Sequence, residues 1–177
     1  MKKNIKSNII ILFFAIIPLF SLFIGFVLNE DLSTGGAKWD FNLTWPIIIN
    51  YSNFNFITDI TRHMPLHYVL LSIINKIFNN QDFVKIFYLF FIFLLPIFLF
   101  LNLTKIYNYK KFILIIFSSS FLFFPLFRAS AIWPNAHLTA TIFFLIGNYY
   151  YLKSKEKNIF IYKIINLLFL SFSIYCI

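Results

Sequence analysis

Five strongly apolar runs, each without a charged side chain, divide this sequence, at residues 7–29, 86–104, 112–127, 129–152 and 164–177. A helix needs about 20 apolar residues to cross the roughly 30 Å hydrocarbon core of a bilayer. The first four runs are near that length and the last is cut short. Lys2, Lys3 and Lys6 precede the first run, which suits either a signal peptide or a first transmembrane helix. A secretory apolar region covers only about 7–15 residues and ends in a small-residue cleavage pattern. Here the apolar stretch continues through Phe20-Ser21-Leu22-Phe23-Ile24-Gly25-Phe26, so the run reads as a spanning helix. Composition agrees: 60% of the residues are hydrophobic and 12% charged, whereas charged residues make up about 25% of a soluble domain. Lipid therefore fits better than cytosol. The lone cysteine, Cys176, excludes an intramolecular disulfide, and no Cys/His spacing resembles a zinc site. The net charge of +9 comes from short clusters between apolar runs rather than a continuous basic face. It reads as membrane topology, not nucleic-acid binding.

Residues 64–78, MPLHYVLLSIINKIF, are ambiguous. As a helix they reach about 22 Å of a roughly 30 Å core, and they include His67, Asn75 and Lys76. If this piece lies at the interface and the N-terminus is cytoplasmic, ten Lys and Arg fall inside and five outside; if it spans, the count becomes six inside and nine outside. The positive-inside rule favours the interfacial placement. The expected fold class is all-α: a polytopic helical membrane protein in a single module, with about five transmembrane helices and juxtamembrane helices in the first outer loop. The expected spans are 7–29, 83–104, 112–127, 135–152 and an apparently truncated 159–177. The outer loop covers 30–82, with juxtamembrane helices at about 41–57 and 64–78.

Five of the six acids, Glu30, Asp31, Asp40, Asp59 and Asp82, fall in that long loop. Gly35 and Gly36 permit a sharp turn, after which Asp40 is placed to open a helix that carries Trp45 and Tyr51, residues enriched at headgroup depth. Further on, Arg62 and His63 precede Pro65, near the positive end of the next helix dipole, where an anion such as phosphate is favoured. The second outer loop carries Arg128, Asn135 and His137. Ionisable residues at this depth are functional candidates, against the plainer alternative that Arg128 snorkels to the interface.

An N-terminal helix, an outer loop with an acid opening a juxtamembrane helix, a basic-x-Pro-Leu-x-Tyr step and a short second outer loop resemble the N-terminal module of the GT-C superfamily of polytopic glycosyltransferases. Within it the resemblance is to dolichyl-phosphate-mannose-protein mannosyltransferase-like and aminoarabinose transferase-like proteins. The segments GGAKWDF and RHMPLHY carry the resemblance, which covers about residues 8–177. It implies transfer of a sugar from a polyprenyl-phosphate donor to a glycan, lipid or protein acceptor. The reaction is expected at the outer face of a bacterial inner membrane, with the N-terminus cytoplasmic and no nucleic-acid partner.

By position the resemblance makes Asp40 the general base, with Asp31 of the Glu30-Asp31 pair as second choice. It sets Arg62 and His63 against the lipid phosphate, and Arg128 and His137 become further substrate-binding candidates. Relatives often carry an acid in the second outer loop, where this chain has Asn135 and His137. The chemistry stands without the family name: displacing a polyprenyl phosphate from an anomeric carbon needs a base for the acceptor hydroxyl and cations for the leaving phosphate. No cofactor is assigned, and a divalent metal stays open with no ligand set to support it. The family has roughly twice as many spanning helices, so the chain reads as a fragment that is inactive alone. The alternative from another class is a non-enzymatic membrane subunit or a small transporter-like protein.

Overall fold

The computed structural model describes residues 17–18, 20–31, 36–55 and 65–176. Arg62, His63 and Asp59 lie outside the described residues, as do residues 7–16 and 19 of the expected first span. The described chain is helical throughout, with no β-strand among the described residues. The elements are α1 (described over residues 20–27), α2 (Gly36–Ser52), α3 (Leu66–Phe78), α4 (Gln81–Ile92), α5 (Leu94–Ile106), α6 (Lys111–Ser120), α7 (Pro125–Ile132), α8 (Ala136–Lys157) and α9 (Phe160–Ile174).

Local chemistry sets the boundaries. Asn79 ends α3 in the left-handed region, φ 47°, and Asn80 caps α4 by accepting from the backbone N–H of Asp82 at 2.8 Å. The joint at Phe93 separates α4 from α5 because Pro96 has no N–H to give the carbonyl of Ile92. The two helices still form one 26-residue unit, Gln81–Ile106, about 39 Å long. After α6 the serines at 118, 119 and 120 fold back onto carbonyls three residues earlier, and the chain tightens into a 3-10 turn over Phe121–Phe123. Phe124 is then extended, as a residue before proline must be, and Pro125 opens α7. The result is a 69° bend. It corrects two expectations: 112–127 is not one straight helix, and most of the expected second loop, from Arg128 to Ile132, is helical.

Tyr88 Oη donates to the Asn135 carbonyl at 2.7 Å, and Lys105 Nζ meets Glu156 Oε2 at 2.6 Å. The α4–α5 unit and α8 are therefore parallel, α6 and α7 return between them, and α9 comes back along α8. Gly147 lets α9 approach, since a Cβ there would sit 3.1 Å from Leu170 and 3.3 Å from its backbone nitrogen. Amides and a hydroxyl bind across the same interfaces: Asn102 to the Leu145 carbonyl at 2.9 Å, Asn148 to Asn102 at 3.1 Å, Asn166 to the Gly147 carbonyl at 2.9 Å, and Ser173 to the Ala140 carbonyl at 2.9 Å. Small residues and polar links of this kind join helices where apolar surface gives no driving force between them.

The core gathers Leu22, Phe41, Ile48, Val84, Ile92, Ile132 and Ile142. Large apolar side chains also cover the outside, among them Phe20, Phe90, Leu126 and Leu167. By length and composition, Gln81–Ile106 is a candidate membrane span, and the bent α6–α7 pair is a second if it counts as one; α3 and α9 are shorter apolar helices. In α8, Lys153, Lys155, Glu156 and Lys157 shorten the apolar stretch.

Candidate functional site

Charges and polar networks collect at the end of the bundle where α4 and α8 begin. Arg128, on α7, is held there by four hydrogen bonds. Its Nε donates to Glu30 Oε1 at 2.8 Å, its Nη2 to Glu30 Oε2 at 2.5 Å and to the Ser21 carbonyl at 3.2 Å, and its Nη1 to Ser21 Oγ at 2.7 Å. This is the two-pronged carboxylate grip that guanidinium geometry favours. The side chains of Arg128 and Glu30 are 12% and 17% exposed, so the pair is largely shielded from water. Gly25 makes room for it: a Cβ there would collide with Glu30 Oε2 and lie 2.9 Å from Arg128 Nη2. Hydrogen bonding from Arg128 holds Glu30 below the ordinary carboxylate range, against the opposing effect of burial and with the arginine's charge assisting.

Trp133 extends the cluster. Its indole N–H donates to the Glu30 carbonyl at 3.1 Å, and two ammonium groups lie against its ring, Lys85 at 4.5 Å and Lys38 at 5.3 Å from the centroid. Lys85 is buried and pairs with Asp82 at 2.8 Å. Phe41 of α2 packs on Trp133 with ring centroids 6.0 Å apart, bringing α2 against this end.

Beside it, α3 contributes a buried polar network. Tyr88 and Thr139 direct hydroxyls at the Asn135 carbonyl, at 2.7 and 3.2 Å, and Thr139 Oγ1 lies 2.9 Å from His67 Nδ1. This arrangement fits a His67 that carries its proton on Nδ1. His67, Tyr88 and Thr139 line a cavity of about 180 Å³ that is otherwise apolar, walled by Leu70, Ile74 and Phe91. The His67 ring also stands edge-on to Tyr68, whose phenol is pushed up to about 12 by burial, with the charges of Tyr51 and Asp40 adding.

The sequence-derived residues are thus scattered over this end. Asp40 is exposed on α2, and because that helix is described from Gly36, it stands at least one turn inside rather than at the start. Asp31 follows the Glu30 that Arg128 grips. Exposed His137 lines a cavity of about 260 Å³ with Ser130 and Thr141, its backbone N–H donating to Asn135 Oδ1 at 2.9 Å. Arg128 is brought together with Glu30 and Ser21, neither of which was singled out as its partner. Sequence reasoning also passed over Lys85, Trp133, His67, Tyr88 and Thr139. The only signal for the first pair was an acid and an arginine bordering apolar runs at the same expected face. Among the described residues no three His, Cys, Asp or Glu side chains gather as metal ligands. No family model, curated protein or solved structure matches the chain.

Proposed function

We propose that this chain is a five-span membrane glycosyltransferase of the GT-C type, or the N-terminal part of one, inserted with its N-terminus in the cytoplasm of a bacterial cell. It transfers a sugar from a polyprenyl-phosphate donor to an acceptor at the outer face, with Asp40 as the base that takes the acceptor's proton. The observation that carries the reading is the position of Asp40: an exposed carboxylate on a helix packed across the end of an apolar bundle, where a water-borne acceptor and a membrane-held donor can meet. Its neighbours Trp45 and Tyr51 belong at headgroup depth. Glu30, committed to Arg128 and held ionised, is a structural strut rather than a base. Arg62 and His63 are the proposed phosphate cations.

The test is sugar transfer in vesicles that contain the full-length protein and a polyprenyl-phosphate donor. Asp40→Asn should lower the rate 10²–10⁴-fold, the range typical for losing a general base, while donor binding persists. Loss in Asp31→Asn with Asp40→Asn unaffected would transfer the role to Asp31. Unchanged transfer in both removes the mechanism. One observation favours a non-enzymatic membrane subunit instead: Arg128 and Lys85, cations at this end, are both occupied by carboxylates.

A further inference from the structure

The opposite end of the bundle has a different chemistry. There α5 ends, α6 begins, and the α8–α9 hairpin turns. Lys105 is paired with Glu156 at 2.6 Å. Glu156 is the one acid at this end among the described residues. Six further lysines stand around it, Lys110, Lys111, Lys153, Lys155, Lys157 and Lys163, and among the described residues none of them makes an ion pair. The other end balances its described acids, Glu30, Asp31, Asp40 and Asp82, against Lys38, Lys76, Lys85 and Arg128. Positive charge is therefore concentrated at one end.

Exposed apolar, aromatic and cationic side chains are mixed at this end. Exposed apolar residues include Ile113 and Phe117 on α6, Ile164 and Leu167 on α9, and Phe160 and Ile161 at the hairpin turn itself. Tyrosines stand among them, against the lysines. Lys153 Nζ sits 4.7 Å from the Tyr162 ring centroid, 5.6 Å from Tyr149 and 5.8 Å from Tyr150, and Lys155 Nζ sits 4.7 Å from Tyr151. Lys163 Nζ is held on Asn158 Oδ1 at 3.0 Å. Lys153 and Lys157 are one helical turn apart and share a face of α8. Apolar, aromatic and cationic side chains side by side match the interface of a bilayer, where acyl chains meet headgroups.

We propose that the α8–α9 hairpin end is a docking surface for anionic phospholipid headgroups, with lipid phosphates seated on Lys153, Lys157 and Lys163. The proposal rests on the membrane placement given above and on no part of the glycosyltransferase chemistry. Charge complementarity selects an anion. The exposed apolar side chains beside the lysines select a headgroup with acyl chains over RNA or an acidic peptide, neither of which has use for exposed Ile113, Ile164 and Leu167. The tyrosine contacts hold Lys153 in place before the lipid arrives, which limits the side-chain entropy lost on binding.

The test uses the whole chain in neutral detergent, titrated with phosphatidylglycerol or phosphatidylcholine of the same acyl length, with bound lipids counted by native mass spectrometry. Phosphatidylglycerol is expected to bind at least tenfold more tightly. That preference should shrink to about twofold in the triple variant Lys153→Gln, Lys157→Gln, Lys163→Gln, whose unfolding temperature should stay near that of the parent. The preference should also fall as salt rises from 0.1 M to 1 M, because the screening length drops from about 10 Å to about 3 Å. Equal binding of the two lipids overturns the proposal, as does a folded triple variant that keeps the preference. Displacement of phosphatidylglycerol by millimolar inorganic phosphate, by RNA or by an acidic peptide overturns it as well. An alkaline carbonate wash separates the premises: release of the chain from membranes overturns both the placement and the docking surface, whereas retention without a lipid preference overturns the docking surface alone.

Discussion

Glu30 and Arg128 show how one pair sets both a packing constraint and a pH response. Breaking a shielded ion pair by removing one partner leaves the other charge without compensation, a loss of about 3 kcal/mol or more. Arg128→Ala should therefore lower the unfolding temperature in detergent more than Lys157→Ala does. Glu30 is held below its ordinary value of 4.5, so its contribution to stability is present above that value and is lost as pH falls through the lower value it has in the folded protein. Unfolding temperature measured from pH 7 downward should drop across this acidic window in the parent, and Glu30→Gln should flatten that part of the curve. A Glu30→Gln profile that superimposes on the parent would show that the pair does not couple to folding. Gly25→Ala should reproduce much of the loss with every charge intact, because its methyl group occupies the space of the Glu30 carboxylate.

Helices, bends and junctions differ in how plainly the sequence announces them. The charge-free runs did so for α4–α5 and α9, since long apolar stretches with few breakers have few other ways to satisfy their backbone polar groups. The bend before α7 was open to reading, because Pro125 forces Phe124 out of the helical region, yet an apolar run continuing through both residues masked it. Asp40 was placed at a helix start because Gly35 and Gly36 read as a turn. Gly36 is instead helical, and Ala37 and Phe41 bury against the bundle one turn apart, so Asp40 lies within the helix. The candidate site was less legible. Glu30 and Arg128 are 98 positions apart and His67 and Thr139 are 72 apart, separations that no local periodicity encodes. The α8–α9 junction gives a test at this scale: Gly147→Leu would drive a side chain into Leu170 and separate the hairpin. An overpacking loss of about 1–3 kcal/mol is expected, read as a lower unfolding temperature and a weakened Asn166 contact. An unchanged unfolding temperature would mean that α9 does not depend on that close approach.

Across the whole molecule, two ends with different chemistry are held apart by an apolar bundle, one with paired charges, tryptophan and buried hydroxyls, the other with lysine and tyrosine. The proposed orientation sets the first outside the cell and the second in the cytoplasm, as the bias of Lys and Arg toward the cytoplasmic side requires. The glycosyltransferase proposal depends on that arrangement, because a base that takes a proton from an outer-face acceptor has to be outside. The chain lends itself to a direct measurement, having the single cysteine Cys176, which is buried. In a Cys176→Ser background, Asp40→Cys and Lys157→Cys are each treated with a membrane-impermeant maleimide, first in intact cells and then after permeabilisation. The prediction is that Asp40→Cys is labelled in intact cells and Lys157→Cys only once the membrane is opened. Labelling of Lys157→Cys in intact cells, with Asp40→Cys protected until permeabilisation, would contradict the orientation and the outer-face chemistry with it.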